Sequence, residues 1–177
     1  MTRPHLPARF FRALWPGRPR RADDEWACGF LTPEEIELWR RLPNHDRRHA
    51  IRGARYTQAA LTHTEYADDP QWIEAALLHD VGKQAAGLGV YGRVVATVAS
   101  HLAGREMAEA WRANRGFTRK VGLYVDHGAI GADMIRMANG SEAAAQWSVL
   151  HHEPRSSWFD SVIPGPVLTV LDDADHA

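Results

Sequence analysis

Apolar residues recur along this chain at three- and four-residue intervals, and no stretch alternates with period two for long enough to support a sheet. The pattern predicts an all-α fold. Thr32 followed by Glu35 forms a capping box with Pro33 at the first helical position, so a helix is expected to about Leu42, ahead of Pro43. A longer helix is predicted from Asn44 to about Thr64. Pro70 to His79 opens another, with Gly82 as its interruption. Tyr91–Leu102 and Arg105–Asn114 read as two more. Asp126–Asn139 follows, with Gly140 as its stop signal, and Ser141 then caps Glu142–His151. The last helix starts near Pro166 and ends near the chain terminus. No internal repeat or low-complexity segment is present.

Composition narrows this picture. A chain of 177 residues, 45% of them hydrophobic, is long enough for one well-buried domain and too short for two. The net charge of −1 gives no steering toward nucleic acid, and no stable nucleic-acid binding is expected. The single Cys28 excludes an intramolecular disulfide and fits a reducing compartment. Without an apolar run of about eighteen residues there is no membrane-spanning candidate, and the chain reads as soluble and cytoplasmic. Residues 1–30 form a basic N-terminal segment ahead of a domain over 31–177. The first 21 residues hold Arg3, Arg9, Arg12, Arg18, Arg20 and Arg21, no acid, and the apolar set Phe10, Phe11, Leu14 and Trp15. Such a segment can lie on a membrane surface or a partner. The preferred reading is a helix packing Phe and Trp onto the domain, with its arginines in solvent.

The candidate chemistry centres on His79-Asp80, which closes the apolar run Ala75-Ala76-Leu77-Leu78 and precedes Val81-Gly82-Lys83. A buried, ionised Asp costs several kcal/mol unless something positive compensates it, and a divalent cation is the simplest partner. His49 lies upstream, His127 and His151-His152 lie downstream, and Asp172-Asp173-Ala174-Asp175 follows. That ordered set argues for a metal site. Imidazole and carboxylate together suit Mn, Fe, Ni, Co or Zn.

These residues resemble the HD-domain superfamily of metal-dependent phosphohydrolases, closest to the HD-GYP branch, whose members hydrolyse cyclic dinucleotides. The likeness is carried by His49, by LLHDVGK over Leu77–Lys83, and by HGAIGADMI over His127–Ile135. VLHHEP over Val149–Pro154 and LDDAD over Leu171–Asp175 complete it, so the resemblance runs from about Asn44 to the C-terminus. It implies a helical bundle with a buried metal site holding two divalent transition-metal ions. His49, His79, Asp80 and a terminal Asp would bind the first, and Asp80 would bridge to a second held by His127, His151 and His152. Asp175 fits the final Leu-x-x-Ala-Asp; Asp172, one turn earlier, is the alternative. Asp80 and Lys83 would be the catalytic pair, Lys83 contacting either substrate phosphate or the Asp80 carboxylate. His45, one turn before His49, would either bind a third ion or face solvent. Glu153 would orient a ligand imidazole.

The chain departs from that branch after His-His-Glu. In place of a Gly-Tyr-Pro loop it carries Pro154-Arg155-Ser156-Ser157-Trp158-Phe159, so poor turnover of cyclic-di-GMP is expected. Arg155 and Trp158 can recognise a phosphate and a base, or simply cover helix ends, the commoner fate of such a loop. His63, His101 and His176 lack a motif and read as surface or packing residues. Trp39, Trp72, Trp111 and Trp147 read as core. The leading function is hydrolysis of a phosphoester on a phosphorylated small molecule, a nucleotide or a cyclic nucleotide. The alternatives are a non-catalytic HD-domain signalling or binding module and an HD-fold di-iron oxygenase, which uses a similar ligand set. An oxygen and reductant requirement separates the oxygenase, and intact His79-Asp80 and His151-His152 weigh against the inert module.

Overall fold

The computed structural model describes residues 17–103, 107 and 110–176, and among them all regular structure is helical. In chain order the α-helices are α1 (Arg21–Cys28), α2 (Pro33–Arg41), α3 (Asn44–Leu61), α4 (Gln71–Leu78), α5 (Val90–Ala103), α6 (Gly116–Val125), α7 (His127–Met137), α8 (Glu142–Leu150) and α9 (Gly165–Asp175). Short 3-10 turns occupy Val81–Ala86, Trp111–Ala113 and Arg155–Ser157. No helix among the described residues is long and apolar enough to cross a membrane.

The local signals act as their chemistry requires. Thr32 Oγ1 accepts from the Glu35 amide while the Glu35 carboxylate accepts from the Thr32 amide, closing the capping box at the head of α2. Ser141 Oγ accepts from the Ala144 amide at 3.1 Å and caps α8. At the end of α7 the left-handed position is taken by Asn139 (φ 56°), not by the glycine that follows it. Gly140 is needed for space instead: a Cβ there would strike Glu35 Oε1 and come within 2.6 Å of Ile135 Cγ2. Two helices escape the pattern reading. The α1 helix buries only Ala27, and α6 opens on an exposed first turn after Gly116 at φ 62°, so neither shows a clear apolar stripe. The N-terminal Phe10, Phe11, Leu14 and Trp15 lie outside the described residues, as do residues 105, 106, 108 and 109 of the stretch expected as the helix Arg105–Asn114; its end forms the 3-10 turn at Trp111.

The α4 helix is the central post. It packs against α3, α8 and α9, while α7 lies against α8 and the 3-10 turn that follows α4. All of Trp72, Ile73, Ala75, Ala76, Leu77 and Leu78 are buried, so its apolar run has no solvent face. Trp39 and Trp147 are fully buried in the same core, each contributing about 2–3 kcal/mol by area removed from water. Trp72 joins them, whereas Trp111 is half-buried in its 3-10 turn, outside that core. The α1 helix belongs to this same body. Asp24 accepts from Trp39 Nε1 at 2.9 Å and from Arg47 at 3.1 Å, tying α1 to α2 and α3, and Arg55 stacks 3.5 Å over Trp26.

Candidate metal centre

Three helices end at one point, and each end carries a histidine. His79 caps the C-terminus of α4, His151 caps that of α8, and His127 follows immediately on α6. The last carbonyls of a helix lack intrahelical donors. Each ring folds back to supply one: Nδ1 lies 3.0 Å from Ala76 O in His79, 2.6 Å from Tyr124 O in His127 and 2.8 Å from Ser148 O in His151. A carbonyl only accepts, so Nδ1 carries the proton in all three rings. In the neutral imidazole the Nε2 lone pair then faces the centre, the arrangement that orients metal-binding histidines. The C-termini of α4 and α8 add the negative ends of two helix dipoles, which favour a cation, while at His127 the C-terminus of α6 meets the N-terminus of α7 and the two ends offset.

Asp80 occupies the middle. Its Oδ1 lies 3.5 Å from Nε2 of both His127 and His151, and its Oδ2 lies 3.5 Å from His79 Nε2. Lys83 donates to Oδ2 at 2.6 Å. Asp80 is buried, and Asp80 Oδ1 and His79 Nε2 have no hydrogen-bond partner. Two orphaned polar atoms in a packed core, one a carboxylate oxygen and one an imidazole nitrogen, fit a metal ion. On one side His49 and His79 converge on Asp175, whose Oδ1 is 2.8 Å from His49 Nε2 and 3.4 Å from His79 Nε2. On the other side His127 Nε2 lies 3.4 Å from His151 Nε2 and 3.1 Å from His152 Nε2. Three sets of potential ligand atoms, each within 4.8 Å of one another, result: His49/His79/Asp175, His79/Asp80/His151 and His127/His151/His152. Buried His and Asp groups here can bind a metal ion.

The charge states divide along the same line. Burial opposes charge on His79, but Asp80 and Asp175 outweigh it and push its pKa up to about 9. The same carboxylates would attract a cation in place of that proton. Burial also opposes ionisation of Asp80 and Asp175, yet Lys83 and His79 hold the first well below the usual carboxylate range, and His49 and His79 hold the second there. His151 goes the other way, to about 4, because burial dominates. His127 and His152 are lowered too, first by desolvation. The His127 side is thus a cluster of uncharged donors.

Close backbone approach makes this convergence possible. A Cβ at Gly82 would collide with the His127 carbonyl, and one at Gly128 would lie 2.6 Å from Ser148 O. Gly82 is therefore no helix stop, since α4 has already ended at Leu78; its missing side chain lets α7 sit on the 3-10 turn. A Cβ at Gly131 would strike Ser148 Oγ, the hydroxyl that donates to His79 O at 2.9 Å and to Gly128 O at 3.1 Å. Ser148 and the three carbonyls were not singled out from sequence, and Gly82 was read there only as a helix interruption. A faint signal existed, because each carbonyl lies three residues before its histidine.

The remaining candidates sort by position. Lys83 touches the Asp80 carboxylate. Asp172 points elsewhere, into a pair with Arg155, while Asp175 joins His49 and His79. His45 is half-buried in a cluster with Asp46 and Arg93, which donates to both Asp46 oxygens at 2.8 Å. Backbone carbonyls orient His79, His127 and His151. Trp158 packs edge-on to Trp147 at 6.1 Å, and Arg155 reaches Asp172, so both cover helix ends. His63 and His176 are exposed, and the side chain of His101 lies outside the described residues. His49 stands apart from the other rings: its Nδ1 lies 3.3 Å from Arg52 Nη2 and its Nε2 lies 2.8 Å from Asp175 Oδ1. No family model matches the chain, and searches of curated proteins and of solved structures give no match.

Proposed function

We propose that this protein is a metal-dependent phosphohydrolase of the HD superfamily, acting on a phosphoester of a nucleotide or other phosphorylated small molecule. One observation carries the reading most of the way. Three buried imidazoles, each fixed through Nδ1 by a helix-end carbonyl, turn Nε2 toward a buried carboxylate whose Oδ1 has no donor. The motif order His49, His79-Asp80, His127, His151-His152, Asp175 supports the family assignment through its resemblance to that superfamily.

His49, His79 and Asp175 would hold one divalent transition-metal ion, His127, His151 and His152 a second, and Asp80 stands between them. Bound ions would supply Lewis acidity toward phosphoryl oxygen and lower the pKa of water to about 7. The protein groups perform the rest. Lys83 holds the Asp80 carboxylate in place and keeps it ionised. The Nδ1 bonds lock three rings in the tautomer that offers Nε2. The half-buried His49 and Asp175 and the exposed edge of His152 form the accessible rim on which a substrate would approach.

The test is elemental analysis of protein purified without chelator, followed by hydrolysis of an activated phosphoester with Mn or Fe loading. The parent should carry close to two ions and turn over. Asp80→Ala should lose metal and at least about a hundredfold in rate, with helix content nearly unchanged. A panel of cyclic-di-GMP, mononucleotides and linear dinucleotides defines the substrate, cyclic-di-GMP being expected among the poorest. Absence of metal from the parent, or retention of most of its rate by Asp80→Ala, defeats the assignment.

A further inference from the structure

The α5 helix is built inside out. Its inward residues are small or paired: Gly92 and Ala99 are half-buried, Ala96 is fully buried, and Arg93 is buried against Asp46. Its large apolar residues face water instead. Tyr91 is 72% exposed, Val95 51%, Val98 54% and Leu102 85%, and Val94 is exposed with them. Spacings of three and four residues put these side chains on one stripe. On α6, which packs beside α5, the first turn adds exposed Phe117. Single exposed apolar residues are ordinary, but a contiguous stripe of this extent marks an interaction surface.

Charge identifies the partner. Between Gln84 and Asp126 the sequence has six basic residues, Arg93, Arg105, Arg112, Arg115, Arg119 and Lys120, against two acids, Glu106 and Glu109. Arg115, Arg119 and Lys120 are all exposed and make no ion pair among the described residues, whereas Arg112 pairs with Asp126. Exposed apolar side chains on α5 and exposed cations at the head of α6 thus lie on two helices that pack together. We infer that the outer face of α5 and the first turn of α6 form a docking surface for an anionic lipid bilayer. Val94, Val95, Val98 and Leu102 enter the acyl boundary, and Arg115, Arg119 and Lys120 meet lipid phosphates. A second copy of the chain fits less well. A two-fold contact would bring the same cations of both copies to one interface, and the described part of the face has no carboxylate to pair with them.

Vesicle flotation of the full chain tests this, with phosphatidylcholine alone and with phosphatidylcholine mixed with phosphatidylserine. Two double variants accompany the parent, Arg119→Glu with Lys120→Glu, and Val94→Gln with Val98→Gln. The N-terminal arginines stay in every sample, so any binding they supply is common to all. The parent should float with phosphatidylserine vesicles, less so in high salt, and poorly with phosphatidylcholine alone. At about 1 kcal/mol per cation, reversing two charges should weaken partitioning at least tenfold. The valine pair should weaken it comparably. Helix content and metal content serve as folding controls, since the altered positions are exposed. Equal flotation of parent and both variants overturns the proposal. So does failure of the parent to float, or a parent oligomer in lipid-free sedimentation that Val94→Gln with Val98→Gln dissociates, which would assign the face to a second copy.

Discussion

Around Asp80 the bundle buries a carboxylate and three histidines in its packed interior, whereas along α5 it turns tyrosine, valine and leucine toward water. The α4 and α5 helices are both predominantly apolar, so the difference does not lie in their composition. It lies in how many neighbours surround each one. The α4 helix is enclosed by α3, α8 and α9, and even its terminal His79 is buried. The α5 helix packs mainly on α6 and presents small residues to it. Both regions invert the usual sorting of side chains, in opposite directions, and such inversions carry more information than a well-sorted core. One marks a place where a cation would offset the cost of burying charge. The other marks a place where an outside surface would complete the burial.

The largest test of this contrast is Gly82→Ala. The new methyl group would meet the His127 carbonyl, a backbone atom that cannot swing aside, and would push α7 off the centre. Destabilisation of about 3 kcal/mol or more is expected, with a lower midpoint in urea unfolding and loss of metal. An unfolding midpoint equal to that of the parent would mean the contact is soft, and the buried half of the comparison fails.

A smaller effect probes a second buried acidic contact, away from the metal centre. Glu35 is almost wholly buried, and Glu74 on α4 faces it while accepting from the Ser141 amide at 2.7 Å. Burial and then the Glu35 side chain raise the Glu74 pKa to about 7. The folded protein thus binds a proton more tightly than the unfolded chain does. That contribution is fully present below about pH 4.5 and fades as pH rises through about 7. After its partial exposure is allowed for, it amounts to on the order of 1 kcal/mol. Denaturation between pH 5 and 8 should show parent stability falling relative to Glu74→Gln, which still accepts from Ser141. Parallel stability curves for the two proteins would remove the carboxyl pair from the account.

The smallest effect is expected on α5. Because Val98 is 54% exposed, Val98→Gln should change unfolding free energy by no more than about 0.5 kcal/mol in lipid-free buffer. A loss of 2 kcal/mol or more, on the scale of a buried valine, would show that α5 is covered in solution.

The sequence made the local parts of this structure legible. The capping box at Thr32 and the Ser141 cap act through neighbours three residues away, and the apolar run ahead of His79 needs only helical periodicity to read. Asp175 lies with His49 and His79, and Asp172 lies with Arg155, so the choice left open by sequence is a matter of which helix face meets α3. What pattern reading missed depends on partners distant in sequence. Gly82 read as punctuation because the His127 carbonyl above it is invisible in a linear chain. The α6 helix lacked a stripe because its first turn is exposed and only Val121 and Gly122 are buried. The α5 helix was recognisable as a helix, but which of its faces would be left bare was set by the small residues that let α6 approach.

His49 and Asp175 meet across 126 positions of chain. A contact of such long range forms only after the intervening helices are in place, because closing so large a loop early is entropically costly. The centre is therefore a property of the finished fold. A chain still emerging during synthesis offers His79 and Asp80 long before it offers Asp175, and so presents only an incomplete set of donors. A metal ion held by the complete set would therefore load at the last step of folding, where it would act as a latch between α3 and α9 and draw the equilibrium toward the completed bundle.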